Sequence, residues 1–208
     1  MEILAERLKR DEGISSKIVT QDEMPADLGK YSAVVVYVHK KLADAPAKAM
    51  VDYTSAGGKL VALHHSISSG KRENKHWFPF LGVELPKGDV EQGGYQWTEG
   101  VTLQIVNLAP KHFITTHKVS YDKQGPSFTL EHSEVYLNHV LSGGSRTTLL
   151  GLKYTDAKTG KTWAQDTAGW LKPSGKGWIV YLMPGHRVEE FRHPAYSRIV
   201  MNAVIFKP

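Results

Sequence analysis

No cysteine occurs anywhere in the 208-residue chain. Disulfides, thiolate zinc sites and a cysteine nucleophile are therefore excluded, while the compartment stays open. Long apolar runs are lacking too. No stretch approaches the ~20 residues that span a bilayer, so no membrane role is expected. The opening Met1-Glu2-Ile3-Leu4-Ala5-Glu6-Arg7 is charged from the outset and does not read as a signal peptide, which leaves the cytoplasm as the default location. A strong charge of one sign is missing as well. The formal net charge is +5 with scattered lysines, and no basic run is interleaved with aromatics, so nucleic acid is not expected as a partner. Three catalytic signatures are also absent: the G-x-S-x-G elbow, the phosphate-cradling glycine loops and the HExxH zinc spacing.

What is present reads as α/β. Glu2–Glu12 has Ile3, Leu4 and Leu8 at helical spacing with Gly13 as a stop. Ser16–Thr20 reads as a short strand, and Pro25 excludes a long helix after it. Tyr31–Val38 is β-branched and apolar on both faces, ending at His39. Ala45–Ala56 fits a helix. Gly57-Gly58 end it, and the unbroken apolar run Leu60–Leu63 follows as a strand buried on both faces. His76–Gly82 reads as a short aromatic helix. Val101–Leu108 alternates with period two, as a half-exposed strand does. Further strands are expected around Phe128–Tyr136, Thr147–Tyr154 and Trp178–Met183, the last returning from a tight turn at Gly175-Lys176-Gly177. A helix from Tyr196 to about Phe206 closes the chain. The length suits one domain over residues 1–208 with a substantial core. Its sheet is expected to be mostly parallel and flanked by helices. A doubly wound domain opens on a central strand, whereas this chain opens on a helix. That strand is either lost or encoded upstream of Met1.

Chemistry-bearing side chains gather at four places: His39, His64-His65, Glu131/His132/Glu134 with Tyr136, and His186-Arg187. His64 and His65 follow a buried strand directly, which places them in the crevice where α/β sheets hold ligands. Imidazoles, a carboxylate and a phenol suffice for general acid–base work on a polar substrate. The same set could hold a divalent metal, but every ligand would come from a different loop, so neither metal nor cofactor is assigned. Most tryptophans belong to the core on composition grounds. Trp97 and Trp163 are the candidates for stacking on the apolar face of a sugar ring. His112, His117, His139 and His193 read as surface or structural residues.

Taken in order, these segments resemble the ThuA-like family, named for trehalose utilisation. Gly57-Gly58-Lys59-Leu60-Val61-Ala62-Leu63-His64-His65-Ser66 resembles its glycine-glycine, strand, histidine element. Trp77–Gly82 resembles its Trp-x-x-x-Leu-Gly helix, and His112–Thr115 its His-Pro-Ile-Thr element. Phe128–Tyr136 resembles the Asp-Glu-x-Tyr segment. Ala168-Gly169-Trp170, Gly175–Tyr181 and Pro184-Gly185-His186 resemble its last three elements. Ser133, Phe113 and Trp178 stand where the family has Asp, Pro and Arg. The resemblance implies a flavodoxin-like, class I glutamine amidotransferase-like fold that here lacks its first strand, a gap that a strand from a second subunit would fill. It places His64 where glutamine amidotransferases keep their nucleophilic cysteine, so glutamine hydrolysis is not expected. The expected function is processing of a disaccharide or keto-sugar by acid–base chemistry. His64, His65, Glu134 and His186 would be the catalytic set, with Tyr136, Arg187, Trp97, Trp163 and His39 binding substrate. The alternatives are a non-catalytic sugar-binding or scaffold protein and a metal-dependent hydrolase; the open edge makes a homo-oligomer the expected partner arrangement.

Overall fold

The computed structural model describes residues 1–123 and 125–207. Helical spacing of Leu4 and Leu8 is realised in α1 (Glu2–Glu12), where both are buried. At its end Gly13 takes a left-handed φ of 68°. Its N–H donates to Lys9 O and that of Ile14 to Leu8 O, which satisfies two carbonyls the helix leaves open. Strand β1 (Val34–Val36) is shorter than the Tyr31–Val38 run suggested. Helix α2 (Asp44–Ser55) then leads into β2 (Lys59–Leu63), whose Leu60, Val61, Ala62 and Leu63 are completely buried. Each of these larger aliphatic side chains contributes about 1.5–3 kcal/mol by leaving water. Next come α3 (Trp77–Leu81), β3 (Val83–Glu84), β4 (Gln96–Asn107), the one-turn α4 (Phe113–Thr116), β5 (Ser127–Leu137) and β6 (Val140–Leu141). Strands β7 (Thr147–Thr155), β8 (Thr162–Ser174) and β9 (Gly177–Leu182) lead to α5 (Pro194–Ile205). In α5 every residue from Ala195 to Val204 is buried, so this helix is packed on all sides.

Seven strands form one sheet in the order β1-β2-β9-β8-β7-β4-β5, and β3 pairs with β6 apart from it. Among the described residues of this sheet only β1/β2 and β2/β9 are parallel; its other four pairings are antiparallel. The α/β expectation therefore holds, while the sheet is mixed rather than mostly parallel. The physical reason is connectivity. Strands β7, β8 and β9 follow one another through turns too short for a crossover helix, and Ser174 pairs with Gly177 across the Gly175-Lys176 turn.

The antiparallel half curls. Between β4 and β5 the register slips twice. Gly100, at φ 73°, is an extra residue between Glu99↔Glu134 and Val101↔Ser133. Glu131 and His132, the latter at φ 55°, then oppose Thr102 alone. Such bulges bend and over-twist a hairpin. Here they swing β5, the far edge of the sheet, back over the carboxyl ends of β2 and β9.

Ser16–Thr20 is not a strand: residues 14–20 join no sheet among the described residues. A strand exists only through a partner's ladder. On that side of β1 lies instead a cavity of ≈ 630 Å³, lined by Leu4, Leu8, Val19, Leu28, Val34 and Val36 among others.

Candidate functional site

Parallel register places Leu63 of β2 beside Leu182 of β9. The two strands therefore end level, and His64 and Met183 leave the sheet side by side. His64 does so at φ 39°, a left-handed conformation costly for a residue with a Cβ. Its carbonyl accepts from the Tyr181 hydroxyl at 3.3 Å. After Met183 the chain turns through Gly185, at φ 127°, where a Cβ would stand 3.1 Å from the Phe191 ring and the Tyr196 hydroxyl. Only glycine lets the loop pass so close and still present His186 to the site. Glu190, almost fully buried, holds that loop. Its carboxylate accepts from the Gly185 N–H at 2.7 Å and the Arg187 N–H at 3.2 Å. The Tyr196 hydroxyl also donates to the Pro184 carbonyl.

The bulged strand β5 brings Glu134 to the same point, and four side chains converge on its Oε2. His64 Nε2 lies 2.8 Å away, His186 Nδ1 3.1 Å, the Tyr136 hydroxyl 3.2 Å and His65 Nδ1 3.7 Å. His65 Nδ1 is also 2.7 Å from the Tyr136 hydroxyl. Glu134 is 4 % exposed and His64 fully buried. One ligand atom from each of His64, His65, Glu134 and His186 lies within 4.8 Å of the other three, close enough to surround a metal ion.

Burial pushes the Glu134 carboxyl up. The hydrogen bond and charge of His64, with the fields of His65 and His186, outweigh it, so the group sits below the usual carboxylate range. His65 is pushed down to about 3, by burial first and the neighbouring His64 second, and is neutral. Burial and the Glu134 charge raise Tyr136, which keeps its proton. Tyr37, whose ring lies edge-on to His65 at 5.6 Å, is raised to about 12 by burial and Glu190. The site therefore combines an ionised carboxylate, a neutral imidazole and a protonated phenol within one hydrogen-bonded cluster.

Of the residues picked out in the sequence, His64, His65, Glu134, His186 and Tyr136 are brought together. His39 stacks on His65 at 4.3 Å between ring centres, on the exposed side. Trp97 opposes Tyr136 in the β4/β5 register and so shares its face, with its indole half exposed. Two expected binders lie elsewhere. Arg187 is exposed and turns to Glu189 at 3.4 Å, because the Gly185 loop aims it outward. Trp163 pairs with Tyr154 on the β7/β8 hairpin, under the Lys161 ammonium at 4.0 Å. Glu131 and His132 are exposed on the bulge, with Glu131 bonded to Thr102. Three contributors escaped the sequence reading. Glu99, opposite Glu134, has its carboxylate 3.7 Å from His186 Nε2; Glu190 and Tyr37 are the others. Only strand pairing reveals Glu99, whereas Glu190 could have been suspected from its place just beyond His186-Arg187.

Among the described residues no helix is long and apolar enough to cross a membrane. No curated protein sequence matches the chain. Among solved structures, a ThuA-like protein from Bacteroides uniformis ATCC 8492 is similar at 19% identity and TM-score 0.68, with 97% of this chain and 80% of that one covered. A protein from Salmonella typhimurium described as cytoplasmic matches at 14% identity and TM-score 0.62, over 97% of this chain and 84% of its own. The cold-adapted β-galactosidase from Rahnella sp. R3 matches at 14% identity and TM-score 0.61 over 97% of this chain, which spans only 26% of that enzyme. At these identities the likeness concerns the fold alone. The ThuA family model, described as trehalose utilisation, matches residues 1–207. With a match over nearly its whole length, the chain belongs to the ThuA family.

Proposed function

We propose that this protein processes a small carbohydrate, a disaccharide or its keto derivative, by proton transfer at the Glu134 cluster. The observation that carries the reading is the convergence of three imidazoles and a phenol on one buried carboxylate oxygen at the carboxyl ends of β2 and β9. Glu134, held ionised, is the base. Tyr136, which keeps its proton, is the acid, and His64 and His65 fix the positions of both. His186 and His39 line the approach from solvent. Trp97 offers an exposed indole on the same face as Tyr136, suited to the apolar C–H face of a sugar ring. Family membership supports a carbohydrate as the substrate class. With no cysteine, the chain cannot use the thiolate chemistry of a glutaminase.

The test compares wild type with Glu134→Gln, which keeps the shape of the side chain and removes its charge. Disaccharides and their keto derivatives are offered, with turnover followed by NMR in deuterated water and binding by thermal shift. Loss of a positioned base is expected to lower kcat by about 10²–10⁴-fold while sugar binding persists. Equal turnover in the two proteins would remove Glu134 from the chemistry. Binding without turnover by wild type would leave a sugar-binding protein instead of an enzyme.

A further inference from the structure

We propose that His64, His65, Glu134 and His186 form a binding site for a divalent transition-metal ion of the zinc class. The argument begins with where protons can sit. His64 Nδ1 lies 2.6 Å from the Met183 carbonyl oxygen, which can only accept, so Nδ1 carries the hydrogen. In the neutral ring the Nε2 lone pair then points at Glu134 Oε2, 2.8 Å away. Two acceptors at that distance repel, so either a second proton, which makes the ring the charged hydrogen-bond donor to Glu134 described above, or a metal ion lies between them.

His186 approaches the same carboxylate oxygen from the other side. Its outer nitrogen, Nε2, faces the Glu99 carboxylate at 3.7 Å. Its inner nitrogen, Nδ1, is buried 3.1 Å from the same Glu134 oxygen and makes no hydrogen bond. Both rings thus turn one nitrogen towards an oxygen outside the cluster, within hydrogen-bond distance only for His64, and the other towards Glu134. Metal-binding histidines are oriented in the same way, through a carbonyl or carboxylate behind the ring.

The dimensions fit as well. Tetrahedral zinc with bonds of about 2.0–2.1 Å places its ligand atoms about 3.3 Å apart. Here Glu134 Oε2 stands 2.8, 3.1 and 3.7 Å from His64 Nε2, His186 Nδ1 and His65 Nδ1, and all four ligand atoms lie within 4.8 Å of one another, so the widest-spaced side chains would draw in around the ion. Three imidazoles and one carboxylate suit zinc, cobalt or nickel, whereas magnesium and calcium call for more oxygen. The left-handed backbone at His64, at φ 39°, is a cost that a site requiring the ring in one place would justify.

This inference does not rest on the sugar reading. A bound ion would supply a Lewis acid for a substrate oxygen; Glu134 would hold it through Oε2 and keep its other oxygen for the proton, with Tyr136 the adjacent acid. The experiment is therefore done without sugar. Untagged protein, stripped with chelator and checked for fold by circular dichroism, is titrated with Co²⁺, Zn²⁺ and Mg²⁺. Calorimetry gives stoichiometry, and the visible absorption of Co²⁺ reports coordination. The expected result is one equivalent of Co²⁺ or Zn²⁺ and no Mg²⁺ binding. Affinity should fall by about tenfold or more in His186→Ala and in the isosteric Glu134→Gln. The control His132→Asn, at an exposed left-handed position that Asn tolerates, should leave it unchanged. Absence of one-to-one binding by wild type would overturn the proposal. So would equal binding by His186→Ala and Glu134→Gln, which would locate the metal on other histidines.

Discussion

The loop that carries His186 hangs on one buried carboxylate, and the strength of that attachment can be worked out. Glu190 is 2 % exposed and accepts two backbone N–H bonds, from Gly185 at 2.7 Å and Arg187 at 3.2 Å. Glu190→Ala removes both. Hydrogen bonds to a charged acceptor contribute about 1.5–3 kcal/mol each, and a buried donor left alone bears its whole desolvation cost. Gly185 is buried and counts in full, while Arg187 is exposed and water replaces part of its bond. The expected loss is roughly 2–4 kcal/mol, a fall in Tm of roughly 5–15 °C for a chain of this size. Glu190→Gln keeps one acceptor oxygen and should lose about half as much. Urea and thermal unfolding measure both variants. The same loss should release His186 from the cluster, so binding at the site should weaken in Glu190→Ala even at temperatures where the protein stays folded. An unchanged unfolding midpoint in Glu190→Ala would refute the reasoning, because the loop would then be held by its other contact, Tyr196 to Pro184.

Two further outcomes follow from side chains around the site. Lys71 is buried, donates to His39 O and Ser68 Oγ at 2.9 Å each, and is pushed by burial from 10.5 down to about 7. Between those values the unfolded chain binds more protons than the folded one, so stability should rise with pH from about 7 towards 10.5, at up to ~1.4 kcal/mol per pH unit. Chemical denaturation across that range should show this slope lost in Lys71→Met, and an identical slope would contradict the assignment. Trp97→Ala should raise KM for a sugar substrate by roughly 5–10-fold with kcat little changed, since an exposed stacking platform contributes about 1 kcal/mol of binding. A fall in kcat at constant KM would place the indole in the chemistry instead.

Legibility in the sequence followed the range of the forces involved. Helices α1, α2 and α5 and the buried strand β2 were readable because spacing, stop glycines and an unbroken apolar run are local. The Gly175-Lys176 turn was readable for the same reason. Ser16–Thr20 looked like a strand and is not one, since a strand needs a neighbour and β1 offers a cavity on that side. The direction of pairing is equally non-local. Nevertheless, the alternating pattern of Val101–Leu108 carried a hint, because half-exposed strands belong to antiparallel sheets. Within the site, His64 and His65 were found from their place after a buried strand, and Glu134 and His186 from their motifs. Glu99 was missed because only the register beside Glu134 brings it near His186. Arg187 turns to Glu189 and not to the cluster, which the sequence does not reveal because one positive-φ glycine, Gly185, decides which of two adjacent side chains faces inward.

The curl of the sheet has a consequence for how the molecule holds together. His64 and Glu134 are 70 residues apart in sequence, the one just past β2 and the other on β5, strands five places apart in the sheet order, yet their side chains meet. The cluster is thus a clasp that joins the free edge of the antiparallel half to the mouth of the parallel half. Its residues run from His64 to His186, so the cluster is complete only when β2, β5 and the loop after β9 are all in place. Whatever occupies the cluster therefore fastens both halves at once. Its binding free energy should be felt as slower amide exchange along β5 as well as β2, far beyond the side chains it touches.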